Sequence, residues 1–335
     1  MKRIAVSVAL AIGIVSALPS HALPAGNYCV GHQLGPTGQH LRARIVVVDG
    51  TGATGCDVRD IGTANAYVAA QTRGAAAQWT VMVMPGANNT TYNYTETSGS
   101  VPSWTTIVGP SAANRPILRL TGVTGTLLSM GTGAAIQNLA ITVGGTAATT
   151  GAVKVVATTG TSASLIDVSI AVGSTFGDAQ NVDLVSNDAG TLAMTRVDLS
   201  KTGTATKVRL LVNGAAGTAI TASGGNWTAG TSQAKGAENL NASGTLALSG
   251  IKILTSATAD LAGTTGPITP SLMTYGATSG TVTPADVRAS LLYVAACTPA
   301  SASATCTAGQ VCLNATFVYY CAATNTWVRG ALATW

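Results

Sequence analysis

Charge is what this 335-residue chain has least of. Only 9% of its residues are Asp, Glu, Lys or Arg, where a soluble domain carries about a quarter. Ser, Thr, Asn, Gly and Ala must therefore cover the surface. The scarcity argues against a helical bundle, whose exposed faces are dressed in Glu and Lys. It argues equally against nucleic acid as a partner: the net charge is +5, yet no cluster of Lys and Arg exists to track a phosphate backbone. No phosphate loop or dinucleotide fingerprint joins a strand to a helix, and no Gly-x-Ser-x-Gly elbow is present. Beyond the first 22 residues, Gly, Thr and Ser interrupt every apolar run before it reaches membrane-spanning length. Between Cys56 and Cys297 there is no cysteine at all.

What is present begins with an export signal. Lys2 and Arg3 form a positive start, Ile4 to Leu18 is apolar, and Pro19-Ser20-His21-Ala22 supplies small residues for cleavage after Ala22. Removing Lys2 and Arg3 from 17 basic residues, against 12 acidic ones, leaves a mature charge of +3. The expectation is a secreted protein, extracellular or on a cell surface, with no membrane span after cleavage. Six cysteines in an exported chain read as disulfides. Cys29 pairs with Cys56, and Cys297, Cys306, Cys312 and Cys321 form two bridges in one of three connectivities. Zinc at the last four is disfavoured, because there is no Cys-x-x-Cys and no histidine after His40. No cofactor or metal is expected on this reading.

The middle of the chain repeats. Leu139-Ala140-Ile141, Val168-Ser169-Ile170, Val197-Asp198-Leu199 and Ile251-Lys252-Ile253 recur near a period of 29, with Asn226-Trp227-Thr228 in the place of a missing copy. A second series, Leu128/Met130, Val153/Val155, Val182/Leu184 and Val208/Leu210, keeps pace with it. Each segment alternates apolar and polar, the period of a strand with one buried face. Gly-Thr-Ala-Ser stretches between them suit turns. Two short strands per 25 to 30 residues predict coils of a parallel β-solenoid rather than an antiparallel sandwich, which has no reason to repeat at this length. Stacking in register would bring Lys154, Asp183 and Arg209 together across rungs, and Asp167 beside Arg196.

Ile136-Gln137-Asn138-Leu139-Ala140-Ile141 and Leu165-Ile166-Asp167-Val168-Ser169-Ile170 resemble rungs of the pectate-lyase-like right-handed parallel β-helix superfamily. A short helix over Ala64 to Arg73, then Val81-Met82-Val83-Met84-Pro85-Gly86 and Trp104 to Gly109, is similar to the capped start of such solenoids. The last forty residues, with Phe317 to Cys321, Thr324-Asn325-Thr326-Trp327-Val328-Arg329 and a terminal Trp335, resemble a module at the C-termini of phage-type tail fibres and other extracellular fibrous proteins. The expected organisation is a signal at 1–22, a cap region at 23–80, an all-β parallel β-helix at 81–255, a Thr/Gly/Pro-rich connector at 256–296 with a short helix over Pro284 to Tyr293, and a Cys-rich β module at 297–335.

The resemblance implies two kinds of chemistry: lyases that hold calcium with several carboxylates beside an Arg or Lys base, and hydrolases with paired Asp or Glu. Asp167, Asp183 and Asp198 are the acids on the repeating strands and the only catalytic candidates under that alternative. Each has a cation or hydroxyl as its expected stacking neighbour, which favours a structural role. His32 and His40 lack a nucleophile nearby in sequence. Trp79, Tyr92, Tyr94 and Trp104 suit either stacking on sugars or plugging the open edge of the core. The reading favoured by these residues is a structural or adhesive protein rather than an enzyme. It would be a fibre or filament subunit that associates with itself or with a polysaccharide. A secreted polysaccharide lyase or glycoside hydrolase is the alternative.

Overall fold

The computed structural model describes residues 28–29, 44–52, 56–85, 93–122, 124–144, 152–173, 181–202, 207–229, 234–255, 259–274, 278–282, 298–306 and 308–331. The export signal, His32, His40, Tyr92, Cys297, the helix expected over Pro284 to Tyr293 and the last four residues lie outside them. The chain divides into two compact units, Met1–Asp286 and Val287–Trp335. Among the described residues no helix is long and apolar enough to cross a membrane.

The first unit is a parallel β-helix. It opens with β1 (Ile45–Val48), helix α1 (Ile61–Ala69), β2 (Trp79–Val83) and β3 (Tyr94–Glu96). Six consecutive coils of three strands follow. They are β4 (Gly99–Val101), β5 (Thr105–Val108) and β6 (Ile117–Leu120), then β7 (Gly125–Met130), β8 (Ala134–Gln137) and β9 (Ala140–Val143). Next come β10 (Ala152–Thr158), β11 (Ser162–Ile166) and β12 (Ser169–Val172), then β13 (Asn181–Asn187), β14 (Thr191–Thr195) and β15 (Asp198–Lys201). The last two are β16 (Lys207–Asn213), β17 (Ala219–Ser223) and β18 (Asn226–Ala229), and β19 (Ala234–Asn239), β20 (Thr245–Ser249) and β21 (Lys252–Thr255). β22 (Ala259–Ser271) and β23 (Thr278–Val282) complete the stack.

Like strands of successive coils pair in parallel and make three faces. The first runs β1-β2-β5-β8-β11-β14-β17-β20-β22, the second β4-β7-β10-β13-β16-β19-β22, and the third β3-β6-β9-β12-β15-β18-β21. The predicted period is thus a coil, but each coil holds three strands rather than two. The strand that sequence reading did not separate (β8, β11 and their equivalents) alternates as well, burying Leu192 and Met194 in β14 and Leu246 and Leu248 in β20, and runs into the next strand across a two-residue corner. The first series is in register as read, with Ile141, Ile170, Leu199, Trp227 and Ile253 stacked and fully buried. The second starts three residues off: Leu128 pairs with Val156 and Gly125 with Val153. This correction keeps β7 in step with β10. The expected connector is corrected too. After residue 255 the chain continues as β22, which pairs β19 through Lys235–Ala259 and β20 through Leu246–Ile268, and so spans two faces.

The N-terminal end of this stack is closed. α1 starts at Asp60, which accepts from the Thr63 N–H at 2.6 Å, and it buries Ile61, Ala64, Tyr67 and Val68 at helical spacing. It begins three residues before the expected Ala64 because Asp60 is the cap, and it ends at Ala69 rather than Arg73. The Glu96 carboxylate of β3 accepts the Gly62 N–H at 3.0 Å, tying the helix to the coils. On the outer edge of β1, the Asp57 carboxylate takes the Val47 N–H at 2.8 Å and the Asp57 N–H donates to the Val47 carbonyl at 2.8 Å. The Cys29–Cys56 bridge holds that segment. Edge groups that would otherwise template another strand are therefore occupied.

The second unit carries an antiparallel sheet in the order β24 (Val311–Leu313), β25 (Phe317–Ala323) and β26 (Thr326–Ala331). Its core is Cys306, Cys312, Tyr319, Cys321 and Trp327. Cys306 bonds Cys321, which selects among the connectivities left open by sequence, and Cys312 is also disulfide-bonded. Asn325 turns β25 into β26 with φ 57° and accepts the Cys306 N–H at 3.1 Å, as a short polar side chain in the left-handed region can.

Candidate functional site

The sequence candidates separate into two charged clusters. At the corner between the first and third faces, one residue in each of five successive coils takes the left-handed conformation: Asn138 (φ 52°), Asp167 (φ 55°), Arg196 (φ 51°), Gly224 (φ 66°) and Gly250 (φ 61°). Their N–H groups climb the stack, as Asn138 to Ile166 and Asp167 to Thr195 illustrate. Asn and Asp tolerate this geometry. Arg196 is the unusual member, and it forms a two-pronged pair with Asp167 at 2.7 and 2.6 Å. The Arg196 hydrogen bond holds the Asp167 carboxyl below the usual carboxylate range. Asp198 lies near the same corner, 3.8 Å from Arg115, and accepts the Asn226 N–H at 2.9 Å.

Asp183 belongs to the second face instead. Register sets it opposite Lys154 and Arg209. Arg209 grips it at 2.6 and 2.8 Å and reaches Glu238 at 3.3 Å. Lys154 goes elsewhere, to both oxygens of Asp188 at 2.7 Å. Lys235 and Thr264 complete the coordination of Glu238. Burial pushes the Asp183 carboxyl up despite its hydrogen bonds from Arg209. Glu238 is also opposed by burial, but the Lys235 hydrogen bond and charge bring it below its ordinary value. Arg209 and Lys235 are direct cross-rung neighbours of like sign, and Glu238, which bonds both, offsets their repulsion.

Neither cluster has the donor set of a calcium site or a hydrolytic pair. Calcium takes six to eight oxygens, whereas guanidinium groups occupy the space beside Asp167 and Asp183. Among the described residues no three His, Cys, Asp or Glu converge as metal ligands. A general acid must hold a proton near neutrality. Asp167 is shifted the wrong way for that, and Asp183 is shifted upward but is only 2% exposed.

The aromatic candidates at the start of the coils pack inward. Trp79 is buried edge-on against Tyr67, with 5.9 Å between ring centroids. Tyr94 is buried, its phenol pushed up to about 12 by burial, and it donates to the Met84 carbonyl. Trp104 is half-buried, and its ring lies where a side chain on Gly133 would be. Trp79 and Tyr94 thus have no ring face open to a sugar.

Two features went unread in the sequence. Asn187, Asn213 and Asn239 stack fully buried at the end of the second face. Their amides bond along the column at 3.4 and 3.3 Å and reach the carbonyls of Ala219, Thr245 and Pro267. Their 26-residue spacing was visible, but single asparagines in turn-rich sequence suggest loops rather than core. The other feature is the first face. Its outward columns are Thr80, Thr106, Ala135, Ser164, Ala193, Thr221, Ala247 and Thr269, and beside them Met82, Val108, Gln137, Ile166, Thr195, Ser223, Ser249 and Ser271. Neither column contains a charge. Eight strands at about 4.8 Å extend this surface for about 34 Å.

No family model matches the chain, and no curated protein matches it. Among solved structures it is similar to a pectin methylesterase from carrot at 11% identity and a TM-score of 0.39, over 72% of this chain and 84% of that one. The parallel β-helix of this protein rests on its own coil-by-coil strand pairing.

Proposed function

We propose that this protein is an exported, non-catalytic β-helix scaffold with a structural or adhesive role, whose first face contacts neutral, hydroxyl-rich surfaces such as glycans. The observation that carries the reading is the disposition of charge. Asp167, Asp183, Asp188, Asp198 and Glu238 all have a cation partner on the coils, while the two outward columns of the first face carry hydroxyl, amide and apolar side chains, among them Met82, Val108 and Ile166, and no charge. Such a face gains nothing from an ionic ligand but suits hydrogen bonding to uncharged sugars. Head-to-tail stacking through the N-terminal end is disfavoured by the cap over β1, so growth of a fibre would use other surfaces.

The test is binding of the secreted protein to neutral insoluble polysaccharides, with and without Thr221→Arg on the exposed part of the first face. Salt-insensitive retention that is lost in the variant supports the reading. Release of reducing ends or unsaturated products from a glycan, abolished by Asp167→Asn or Asp198→Asn, would restore the lyase or hydrolase alternative and overturn it.

A further inference from the structure

The first face has a third outward column, and an aromatic ring stands in it. Two residues before the paired Thr106 and Ala135, Trp104 lies in register with Gly133. The column continues through Ser162, Thr191, Ala219 and Thr245, and it too contains no charge. Trp79 and Tyr94 turn into the core, but Trp104 is only half-buried. Its backbone is left-handed, with φ 59°, as is that of Gly133 with φ 67°. Glycine adopts this region freely, whereas a bulky side chain is strained there. Main-chain bonds hold the strained residue from both sides. The Trp104 N–H donates to the Thr132 carbonyl at 2.8 Å, and the Trp104 carbonyl accepts the Trp79 N–H at 2.9 Å.

The ring lies flat on the sheet. A Cβ on Gly133 would stand 2.4 Å from Cε3 of Trp104, and 2.7 and 2.9 Å from that atom's ring neighbours Cζ3 and Cδ2. Three contiguous ring atoms nearly equidistant from one point place that point over the face of the ring, not off its edge. Any residue but glycine at 133 would drive the ring away, so Trp104 and Gly133 together build a level indole. Its other face turns away from the sheet. Among the described residues no aromatic ring or cation stacks on that face, and the indole N–H has no acceptor. Nor is this nitrogen one of the buried polar atoms left without a partner, so water reaches it. An exposed indole offers an apolar body beside a polar N–H, which suits an amphipathic ligand.

We propose that the outward face of Trp104 is a stacking subsite for one pyranose ring of a neutral polysaccharide. A pyranose matches the site: its apolar C–H face lies on the indole, and its rim hydroxyls reach the indole N–H. Further sugar units would meet the Ser162 and Thr191 hydroxyls up the same column. Nucleobases also stack on tryptophan, but the uncharged columns give the phosphates of a nucleic acid nothing to bind. The strained backbone fits this role, because a ring fixed in place before the ligand arrives loses little freedom on binding. The proposal rests on the reading of the first face as a glycan-contacting surface and names the residue that anchors the chain there.

Retention of the secreted protein on cellulose, chitin and starch tests this, followed by hydroxyl-radical oxidation of the bound and free protein. On a polysaccharide that retains the protein, oxidation of Trp104 should fall several-fold, a readout that no variant's folding can confound. Trp104→Gly suits the left-handed corner, so its denaturation midpoint should hold or rise while retention weakens at least roughly tenfold. Trp104→Tyr keeps a ring and should keep most of the retention. Trp104 oxidised equally in bound and free protein, or retention undiminished in Trp104→Gly, would overturn the subsite. Retention still lost in Thr221→Arg would then leave the wider reading of the first face standing. A midpoint that falls in Trp104→Gly with retention unchanged would make the ring a cover for the sheet alone. Protection of Trp104 that rises with protein concentration in the absence of polysaccharide would give the ring to a second copy instead. No retention on any of the three would overturn both the subsite and the reading it rests on.

Discussion

One residue per coil has to carry the chain round the corner between the first and third faces, and its φ near +50° decides which side chains fit. Asp167→Asn and Asp167→Val both remove the pair with Arg196, so their difference isolates backbone strain. Asn should sit at that corner without added cost. Val should cost about 1–2 kcal/mol more, read as a lower denaturation midpoint. Arg209 works by charge rather than conformation. Replacing it with Met leaves Asp183 and Glu238 buried without that cation, which should cost about 3 kcal/mol near neutral pH. The pH dependence follows from the two shifts. Asp183, with a folded value above the unfolded one, contributes stability that is full below the unfolded value and is lost as pH rises through the folded value. Glu238, shifted down, contributes stability above its unfolded value that is lost as pH falls through the folded one. Without Arg209 both carboxyls move upward. The deficit of Arg209→Met should therefore shrink between about pH 7 and about pH 4, as urea melts at the two pH values would report.

Among the elements, β13, β16 and β19 are bound by more than their main-chain ladder. Asn213 accepts from the Asn187 amide at 3.4 Å and from the buried Thr218 hydroxyl at 2.6 Å, and donates to the Thr245 carbonyl at 3.3 Å, so one amide joins three coils. Asn213→Leu keeps the volume but strands those partners, at an expected cost of about 3 kcal/mol. Hydrogen exchange should speed up first in β16 and β19, and uniform loss of protection across all coils would contradict the role given to this column. α1 was legible as an element because its apolar spacing is helical. Its start is set by the neighbouring Asp60 cap, a local signal, whereas its tie to Glu96, 34 residues downstream, exists only in the folded chain.

For the molecule as a whole, the two units have different supports. The solenoid has a continuous apolar core from Val46 to Ile268, whereas the C-terminal sheet has five buried side chains and the Cys306–Cys321 bridge. Replacing both of those cysteines with Ala should cost the small unit about 3 kcal/mol. Near-UV dichroism from Tyr319 and Trp327 should fade while the far-UV β signal of the coils remains. A single transition lost as one would show the units to be interdependent.

Composition and period were enough to determine that the chain forms stacked parallel coils, because an inward apolar residue every 26 to 29 positions has no other economical use. They also determined that few charges are spare. Tertiary structure alone decided that a two-residue corner makes separate strands of β8 and β9 and of their equivalents, and that the stack continues through β22. It decided which cation each carboxylate holds as well: register sets Lys154 opposite Asp183, yet Asp183 is held by Arg209 and Lys154 bonds Asp188. Strand periodicity is a local property that a sequence displays directly. Side-chain partnership depends on competition among groups 26 to 34 residues apart, and only the folded coil brings those groups within reach of one another.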